Sequence, residues 1–142
     1  MLGGAASDAL GGGAYELGPS IAPRIDSFVG VAGANLGLAA CWYTGPTTPT
    51  CGATNGLYPG RLFWGLVVGR SAFLEDLNER TDPLAADVYS VWSPGDNIIG
   101  FGGLVWGEYT AQIPSQDGEV RFEDLGHFAL RDEWETQLSL LD

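Results

Sequence analysis

The segment 87–96, Asp-Val-Tyr-Ser-Val-Trp-Ser-Pro-Gly-Asp, constrains the fold more than any other part of this chain. Its first six residues include β-branched and aromatic side chains, which favour a buried strand. Pro94 and Gly95 then stop the strand and turn the chain. Asp96 is therefore predicted to stand at the carboxyl end of a strand, where open α/β sheets hold their ligands and their chemistry.

The composition is that of a globular domain with an acidic surface. Of 142 residues, 45% are hydrophobic and 17% are charged, which is enough apolar material for a core. The chain has 18 acidic residues, six arginines and no lysine, for a net charge of −12. This charge argues against a nucleic-acid partner and against electrostatic docking on anionic membranes. No apolar run approaches the roughly 20 residues that a membrane-spanning helix needs.

The order of the remaining patterns predicts part of a parallel α/β sheet. Residues 1–23 are predicted to be mostly loop, and residues 38–63 a long connection of the lid or insertion kind. Residues 62–69 are apolar and fit a strand or a helix equally well. Strands are predicted at 25–33, 87–92, 104–109 and 118–122. Helices are predicted from Ser71 to about Asp82, with Phe73, Leu74 and Leu77 on one face, and over about 131–141, with Trp134, Leu138 and Leu141 on one side.

Asp96 and His127 form a candidate acid–base pair. A carboxylate at a strand end, followed by a histidine in a later loop, is the order of the second and third members of a Ser-Asp-His triad. In such a triad the acid orients the imidazole, which takes the proton of the serine. The alternative is that Asp96 caps a turn and that His127, the only histidine, is a surface loop residue.

The serine of such a triad is not recognisable in this sequence. A nucleophile elbow needs Gly-x-Ser-x-Gly, because its small residues permit a strained turn between strand and helix. The nearest pattern is Gly69-Arg70-Ser71-Ala72-Phe73, in which the last position is too large. Ser71 is therefore a weak candidate nucleophile, and the alternative is a surface serine or one that caps the following helix.

Cys41 and Cys51 lie ten residues apart in a segment rich in Thr, Pro and Gly. The even count and the loop context favour a disulfide over two buried thiols. Two cysteines and one distant histidine do not make a zinc ligand set, and no phosphate-binding or dinucleotide-binding glycine pattern is present. We therefore expect no metal and no cofactor.

An ordered series of motifs resembles the C-terminal half of the class 2 triacylglycerol lipases, a secreted α/β-hydrolase family. The series consists of Leu17-Gly18-Pro19, the run Ile-Asp-Ser-Phe-Val-Gly-Val-Ala-Gly-Ala-Asn-Leu-Gly at 25–37, Cys51, Asn-Gly-Leu-Tyr-Pro-Gly at 55–60, Phe-Leu-Glu-Asp-Leu-Asn at 73–78, Val-Tyr-Ser-Val-Trp-Ser at 88–93, Asp96, Ser-Gln-Asp-Gly-Glu at 115–119 and His127.

The resemblance implies a role for each matching position. Asp96 matches the catalytic acid and His127 the catalytic histidine, and Cys41 and Cys51 match a disulfide pair. The turn of Gly33, Ala34 and Asn35 would lie beside the active site. The expected fold is a partial α/β-hydrolase fold over residues 1–142, with residues 38–63 as a disulfide-closed, lid-like insertion.

The resemblance also implies that the nucleophile elbow lies upstream of Met1. We therefore expect an exposed apolar sheet edge, with self-association or complementation by an N-terminal half. The segment that begins at Met1 does not have the pattern of a signal peptide, so secretion is expected from the resemblance alone.

Three hypotheses for function follow from these expectations. The chain is the C-terminal part of a lipase or carboxylesterase that hydrolyses triacylglycerol or other carboxylic esters. Alternatively, it is an inactive truncated relative that binds lipid or ester. A third alternative is a non-enzymatic interaction module, whose contact surface would contain Trp42, Tyr43, Phe63 and Trp64.

Overall fold

A computed structural model describes residues 5–7, 14–16, 19–79 and 83–141 of the chain. In chain order its elements are β1 (Ala5–Ser7), β2 (Ala14–Glu16), a 3-10 turn (Ala22–Arg24), β3 (Ser27–Val31), α1 (Cys41–Thr44), β4 (Arg61–Phe63), β5 (Leu66–Val68), α2 (Ala72–Glu79), β6 (Asp87–Trp92), a second 3-10 turn (Phe101–Gly103), β7 (Leu104–Val105), β8 (Glu108–Tyr109), β9 (Gly118–Arg121), α3 (His127–Asp132) and α4 (Trp134–Ser139).

A three-stranded parallel sheet organises the chain, in the order β3, β6, β9. Strand β6 lies in the centre, where Val91 is paired with Val31 on one side and Val120 on the other. The predicted strand at 87–92 has these bounds, and the strands predicted at 25–33 and 118–122 are present in slightly shorter form. The predicted α/β class, as a partial α/β fold, is thus confirmed.

Two apolar clusters cover the two faces of this sheet. On one face Val91 packs with Ala32 and with Leu130 of α3, and both Val91 and Leu130 are fully buried. On the other face Val88 packs with Ile113 and Ala85. Burial on both faces explains why β6 has a nearly continuous apolar sequence instead of an alternating one.

Three two-stranded antiparallel hairpins surround the sheet: β1 with β2, β4 with β5, and β7 with β8. The first one places two short strands in the segment 1–23, which is predicted to be mostly loop. The second resolves the ambiguity at 62–69 in favour of strands. The third divides the strand predicted at 104–109, because Trp106 and Gly107 both have positive φ and turn the chain between them.

The C-terminal helices differ from the prediction. His127 is the first residue of α3 and does not lie in a loop, because Gly126 is extended and starts the helix there. The single helix predicted at 131–141 is also wrong, since Glu133 leaves the helical conformation and separates α3 from α4. Leu130 carries the buried contact, whereas the predicted apolar side, Trp134, Leu138 and Leu141, is exposed.

Helix α2 begins one residue after Ser71 and buries less than predicted. Leu74 is fully buried, but Phe73 and Leu77 are exposed. Asn78 donates hydrogen bonds to the carbonyls of Asn35 and Leu74, at 2.8 and 2.7 Å, which ties the helix to the turn after β3. The predicted helix end at Asp82 lies outside the described residues.

Residues 38–63 are compact, because a disulfide joins Cys41 to Cys51. The two cysteines pack with Tyr58 in a small buried cluster, and α1 starts at Cys41 itself. Trp42 extends this packing, since its Nε1–H donates to the Gly60 carbonyl at 2.9 Å. The disulfide and this hydrogen bond thus join the start of the segment to later parts of it.

Glu119 of β9 accepts three hydrogen bonds, one of which comes from the central strand. Its Oε2 accepts from the buried indole of Trp92 at 2.9 Å and from the amides of Gln112 and Gln116 at 2.8 and 3.1 Å. Burial raises the pKa of Glu119, but these hydrogen bonds and the charge of Arg121 together lower the pKa below its ordinary value.

No helix among the described residues is long and apolar enough to cross a bilayer.

We expect replacement of both cysteines by alanine, C41A/C51A, to lower the free energy of unfolding by ~2–3 kcal/mol. The reason is that the bridge closes a loop with a sequence separation of 10 residues and so restricts the unfolded chain. Urea unfolding followed by circular dichroism measures the loss. Wild-type protein reduced with dithiothreitol is the control and should unfold at the midpoint of the variant; equal stability of all three samples would contradict the prediction.

We expect the variant E119Q to destabilise the fold in a pH-dependent way. A carboxyl group whose pKa is lowered by folding stabilises the fold above its unfolded pKa, roughly 4.3, and this stabilisation is lost as the pH falls through the folded pKa. The difference in unfolding free energy between wild type and E119Q should therefore be largest near pH 7 and shrink on acidification below pH ~4.5. Glu123, an exposed residue that pairs with Arg121, provides the control E123Q, which should show little effect at either pH.

Candidate active site

Asp96 is held in one orientation at the carboxyl end of β6. The residue is 3% exposed, and its Oδ1 accepts hydrogen bonds from the backbone N–H groups of Ile98 and Ile99, both at 2.9 Å. Ser93 supports the same turn, because its Oγ accepts from the Gly95 N–H at 3.0 Å. These contacts follow from the sequence, since an aspartate after Pro-Gly readily binds the backbone two residues ahead. They leave Oδ2 available for a second partner.

That second partner is His127. The distance from its Nδ1 to Oδ2 of Asp96 is 2.7 Å, which is a short, charge-assisted hydrogen bond. A carboxylate can only accept, so Nδ1 carries the hydrogen and Nε2 of the neutral ring keeps its lone pair. Nε2 has no hydrogen-bond partner within the part of the chain that the structure describes. The side chain is 30% exposed.

A cavity of about 260 Å³ adjoins the imidazole. Its lining comes from the end of β3 and from the two C-terminal helices: Val31, Ala32, His127, Phe128, Arg131 and Gln137. Arg131 brings little free positive charge to this space, because its guanidinium is paired with Asp132 at 2.8 Å. This hydrogen bond raises the pKa of Arg131 and lowers the pKa of Asp132.

The turn after β3 reaches the site through its first residue. Ala32 lines the cavity, and its φ of 50° is uncommon for a residue with a Cβ atom. Its N–H donates to the Val91 carbonyl at 2.9 Å, so the sheet holds this conformation. Such a conformation costs on the order of 1 kcal/mol, and residues of this kind cluster at functional sites.

The rest of this turn, Gly33, Ala34 and Asn35, is fastened to a neighbouring loop. Asn35 donates from its backbone N–H to the Thr110 carbonyl at 2.8 Å, and from Nδ2 to the Gln112 carbonyl at 3.1 Å. A side chain at Gly33 would meet Asn35, since a Cβ there would lie 2.9 Å from Nδ2. These residues therefore position Ala32 and do not themselves line the cavity beside His127.

Ser71 stands apart from the Asp96–His127 pair. Its side chain is fully buried, and its Oγ donates to the Gly56 carbonyl at 2.6 Å. The same oxygen accepts from the Leu74 N–H at 3.3 Å, as an N-cap of α2 does. The structure brings Asp96 and His127 together, but it does not bring Ser71 to them.

Asn97 is a site residue that the sequence patterns did not indicate. Its Oδ1 lies 3.4 Å from the backbone N of His127 and accepts that hydrogen bond at the start of α3. A side chain at Gly126 would crowd this contact, with 3.2 Å from a Cβ to Oδ1. The signal in the sequence is weak, because an asparagine after an aspartate in a turn is common.

A second cavity lies elsewhere. It measures about 520 Å³ between the segment 107–116 and Leu36, and neither Asp96 nor His127 lines it. Among the described residues, no group of three or more His, Cys, Asp or Glu side chains is arranged to hold a metal ion. The smaller cavity is therefore the one that adjoins an acid–base pair.

One of three comparisons with known proteins gave a match. Neither a search of curated proteins nor a search of solved structures gave a match. The family model described as "Lipase (class 2)" matches residues 2–139, which is nearly the whole chain. A match of this extent confirms the resemblance seen in the ordered motifs, and the protein belongs to the class 2 lipase family of hydrolases.

Proposed function

We propose that this chain supplies the acid and the base of a lipase that hydrolyses triacylglycerol or other carboxylic esters. One observation carries the proposal: Asp96 holds His127 through Nδ1 at 2.7 Å, and the same histidine lines a cavity. Family membership supports an ester as the substrate. The proposal assigns Asp96 as the acid and His127 as the base, and their mutual geometry supports these roles.

The chemistry is that of acyl transfer through serine. Nε2 of His127 takes the proton of a serine hydroxyl as the oxygen attacks the ester carbonyl, and the imidazolium then gives this proton to the leaving alcohol. Water deprotonated by Nε2 hydrolyses the acyl-serine and releases the fatty acid. Asp96 stabilises the imidazolium, and its two backbone donors keep it oriented throughout.

We propose that the nucleophilic serine comes from a segment outside this sequence, which contains no Gly-x-Ser-x-Gly. Strand β3 pairs only with β6 in the described part, so its outer edge can accept another parallel strand. The carboxyl ends of parallel strands lie at one edge of a sheet. A serine that follows such a strand would stand next to Ala32, across the cavity from His127.

Residues 1–142 form, in this proposal, one incomplete α/β-hydrolase domain. Residues 38–63 are its disulfide-closed insertion. The disulfide and the lipase family are both compatible with secretion, and we include an extracellular location in the proposal. Self-association through the β3 edge is the expected behaviour when the other segment is absent.

A binding protein without turnover is the second candidate. The buried Ser71 favours it, because a chain that has no activated serine of its own can bind an ester without cleaving it. The two candidates differ in whether the protein hydrolyses the ester at all.

We expect H127A to abolish ester hydrolysis by the protein that carries both the serine segment and this chain. D96N should lower kcat by about 10⁴-fold, because the amide favours the wrong imidazole tautomer. Hydrolysis of a p-nitrophenyl ester measures both effects. The control is D124N, which changes an exposed carboxylate of the loop before α3 and should leave the rate unchanged. Full activity of H127A would contradict the proposal.

We expect a fluorophosphonate probe to leave Ser71 of this chain unmodified. Its hydroxyl hydrogen is committed to the Gly56 carbonyl, and no base contacts it. Mass spectrometry of the probe-treated protein locates any adduct, and S71A serves as the control for background labelling. An adduct on Ser71 would show that this residue is the nucleophile and that the serine need not come from another segment.

A further inference from the structure

We propose that the β4–β5 hairpin is a lipid-surface anchor, which places the acid–base pair at an uncharged or zwitterionic lipid–water interface. The hairpin is the most exposed apolar feature among the described residues. Leu62, Phe63, Trp64 and Leu66 are all more than half exposed, and Trp64 at the tip is 90% exposed. Trp64 contacts a second aromatic ring only at its neighbour Phe63, edge-on at 6.2 Å.

The turn at the tip is a poor place for a tryptophan unless the side chain has a function. Trp64 and Gly65 have φ values of 51° and 80°, as the central residues of a type I′ turn require. Asn-Gly is the preferred pair there, because bulky residues are strained at positive φ. Despite this strain, position 64 is a tryptophan whose indole lies in solvent.

A second hairpin in the same chain provides an internal comparison. Trp106 and Gly107 form the same kind of turn between β7 and β8, with φ values of 56° and 88°. Trp106, however, is used by the fold: its Nε1–H donates to the Pro59 carbonyl at 3.0 Å, and its ring lies 4.5 Å from the ring of Trp42. No such contact exists for Trp64 in the described part of the chain. Packing therefore explains one strained tryptophan and leaves the other unexplained.

The charges around the hairpin match a phospholipid surface. Residues 62–69 contain no charged side chain, although the whole chain has a net charge of −12. Two of the six arginines, Arg61 and Arg70, stand at the base of the hairpin, and neither has a carboxylate partner among the described residues. Apolar and aromatic residues at a tip, with arginines behind them at headgroup level, are the arrangement of an interfacial anchor.

The exposed aromatic surface leads towards the acid–base pair. At the base of the hairpin, the indole N–H of Trp42 donates a hydrogen bond to the Gly60 carbonyl, so Trp42 lies next to the hairpin. The next residue, Tyr43, is 79% exposed and stacks on Phe101 with ring centroids 5.5 Å apart. Phe101 follows the loop in which the Asp96 carbonyl accepts from the Gly100 N–H at 2.8 Å. A lipid surface that covers the hairpin would thus lie beside the loop of the catalytic acid.

The choice of lipid as the occupant rests on the proposed ester hydrolysis, whereas the anchoring itself does not require turnover. The net charge selects against anionic surfaces, since an acidic protein is repelled by them. Vesicles of ether-linked phosphatidylcholine contain no carboxylic ester, so binding to them is independent of catalysis.

The test is flotation of the full 142-residue chain with such vesicles. We expect the wild-type chain to float with phosphatidylcholine vesicles, and to float less when phosphatidylglycerol is added. The variant W64N should lower the partition coefficient about tenfold or more, because an aromatic side chain dominates the apolar area at the tip. Its thermal unfolding midpoint should stay the same or rise, since Asn suits this turn. Opposite effects on binding and stability cannot come from misfolding.

A matched control is W134Q, which removes an exposed tryptophan of α4 and should float like the wild type. The proposal is overturned if W64N floats as well as the wild type, or if the wild type does not float. Sedimentation without lipid identifies a competing occupant: a wild-type oligomer that W64N converts to monomers, with no flotation, would make the hairpin an interface between copies. Loss of hydrolysis in the H127A assay does not bear on flotation, so the two proposals fail separately.

Discussion

The pairing of β6 on both of its edges is the constraint on which the rest of the structure depends. Because Val91 is paired with both neighbouring parallel strands, and Val88 and Val91 are buried on opposite faces of the sheet, the end of β6 is fixed. Asp96 follows this end after a turn of three residues whose first, Ser93, also bonds within it. The position of the candidate acid is thus determined by the sheet and not by a mobile loop.

The two oxygens of Asp96 have different partners, and this difference fixes the orientation of the carboxylate towards His127. Oδ1 is occupied by two backbone donors, so the carboxylate cannot rotate without breaking both hydrogen bonds. Only Oδ2 then faces His127, whose own backbone is held by Asn97 at the start of α3. An acid and a base oriented before substrate arrives need no reorganisation during proton transfer, and this is the condition under which electrostatic stabilisation is most effective.

The sequence predicts the strand at 87–92 and the placement of Asp96 well, because a run of β-branched and aromatic residues before Pro-Gly has few alternatives. The helical start at His127 is not predictable in the same way, since the N-cap residue Gly126 has no side chain that could cap the helix. The two Trp-Gly hairpins cannot be predicted from local sequence for a different reason. Tryptophan is unfavourable at positive φ, and only tertiary packing or an external contact compensates for this cost.

The order of Asp96 and His127 in the chain suggests their contact but does not establish it. The residues are 31 positions apart, and their separation in space depends on the parallel alignment of β9 with β6. Glu119 contributes to that alignment, because it bonds the indole of Trp92 across the two strands. Residues that fix a sheet register from a distance produce no local sequence pattern. The sequence therefore indicates the two members of the candidate pair more readily than the residues that position them.

Two surfaces lack a partner in the described part of the chain, the outer edge of β3 and the tip of the β4–β5 hairpin, and they require chemically different partners. The outer edge of β3 presents backbone N–H and C=O groups, which only another strand or water can satisfy. The tip of the β4–β5 hairpin has its turn already formed and presents apolar side chains, which gain nothing from hydrogen bonds but gain free energy on leaving water. A strand added at β3 would extend the sheet beside Ala32 and His127, but it would leave the apolar side chains around Trp64 exposed to water. The first surface is therefore suited to building the site and the second to bringing it to its substrate.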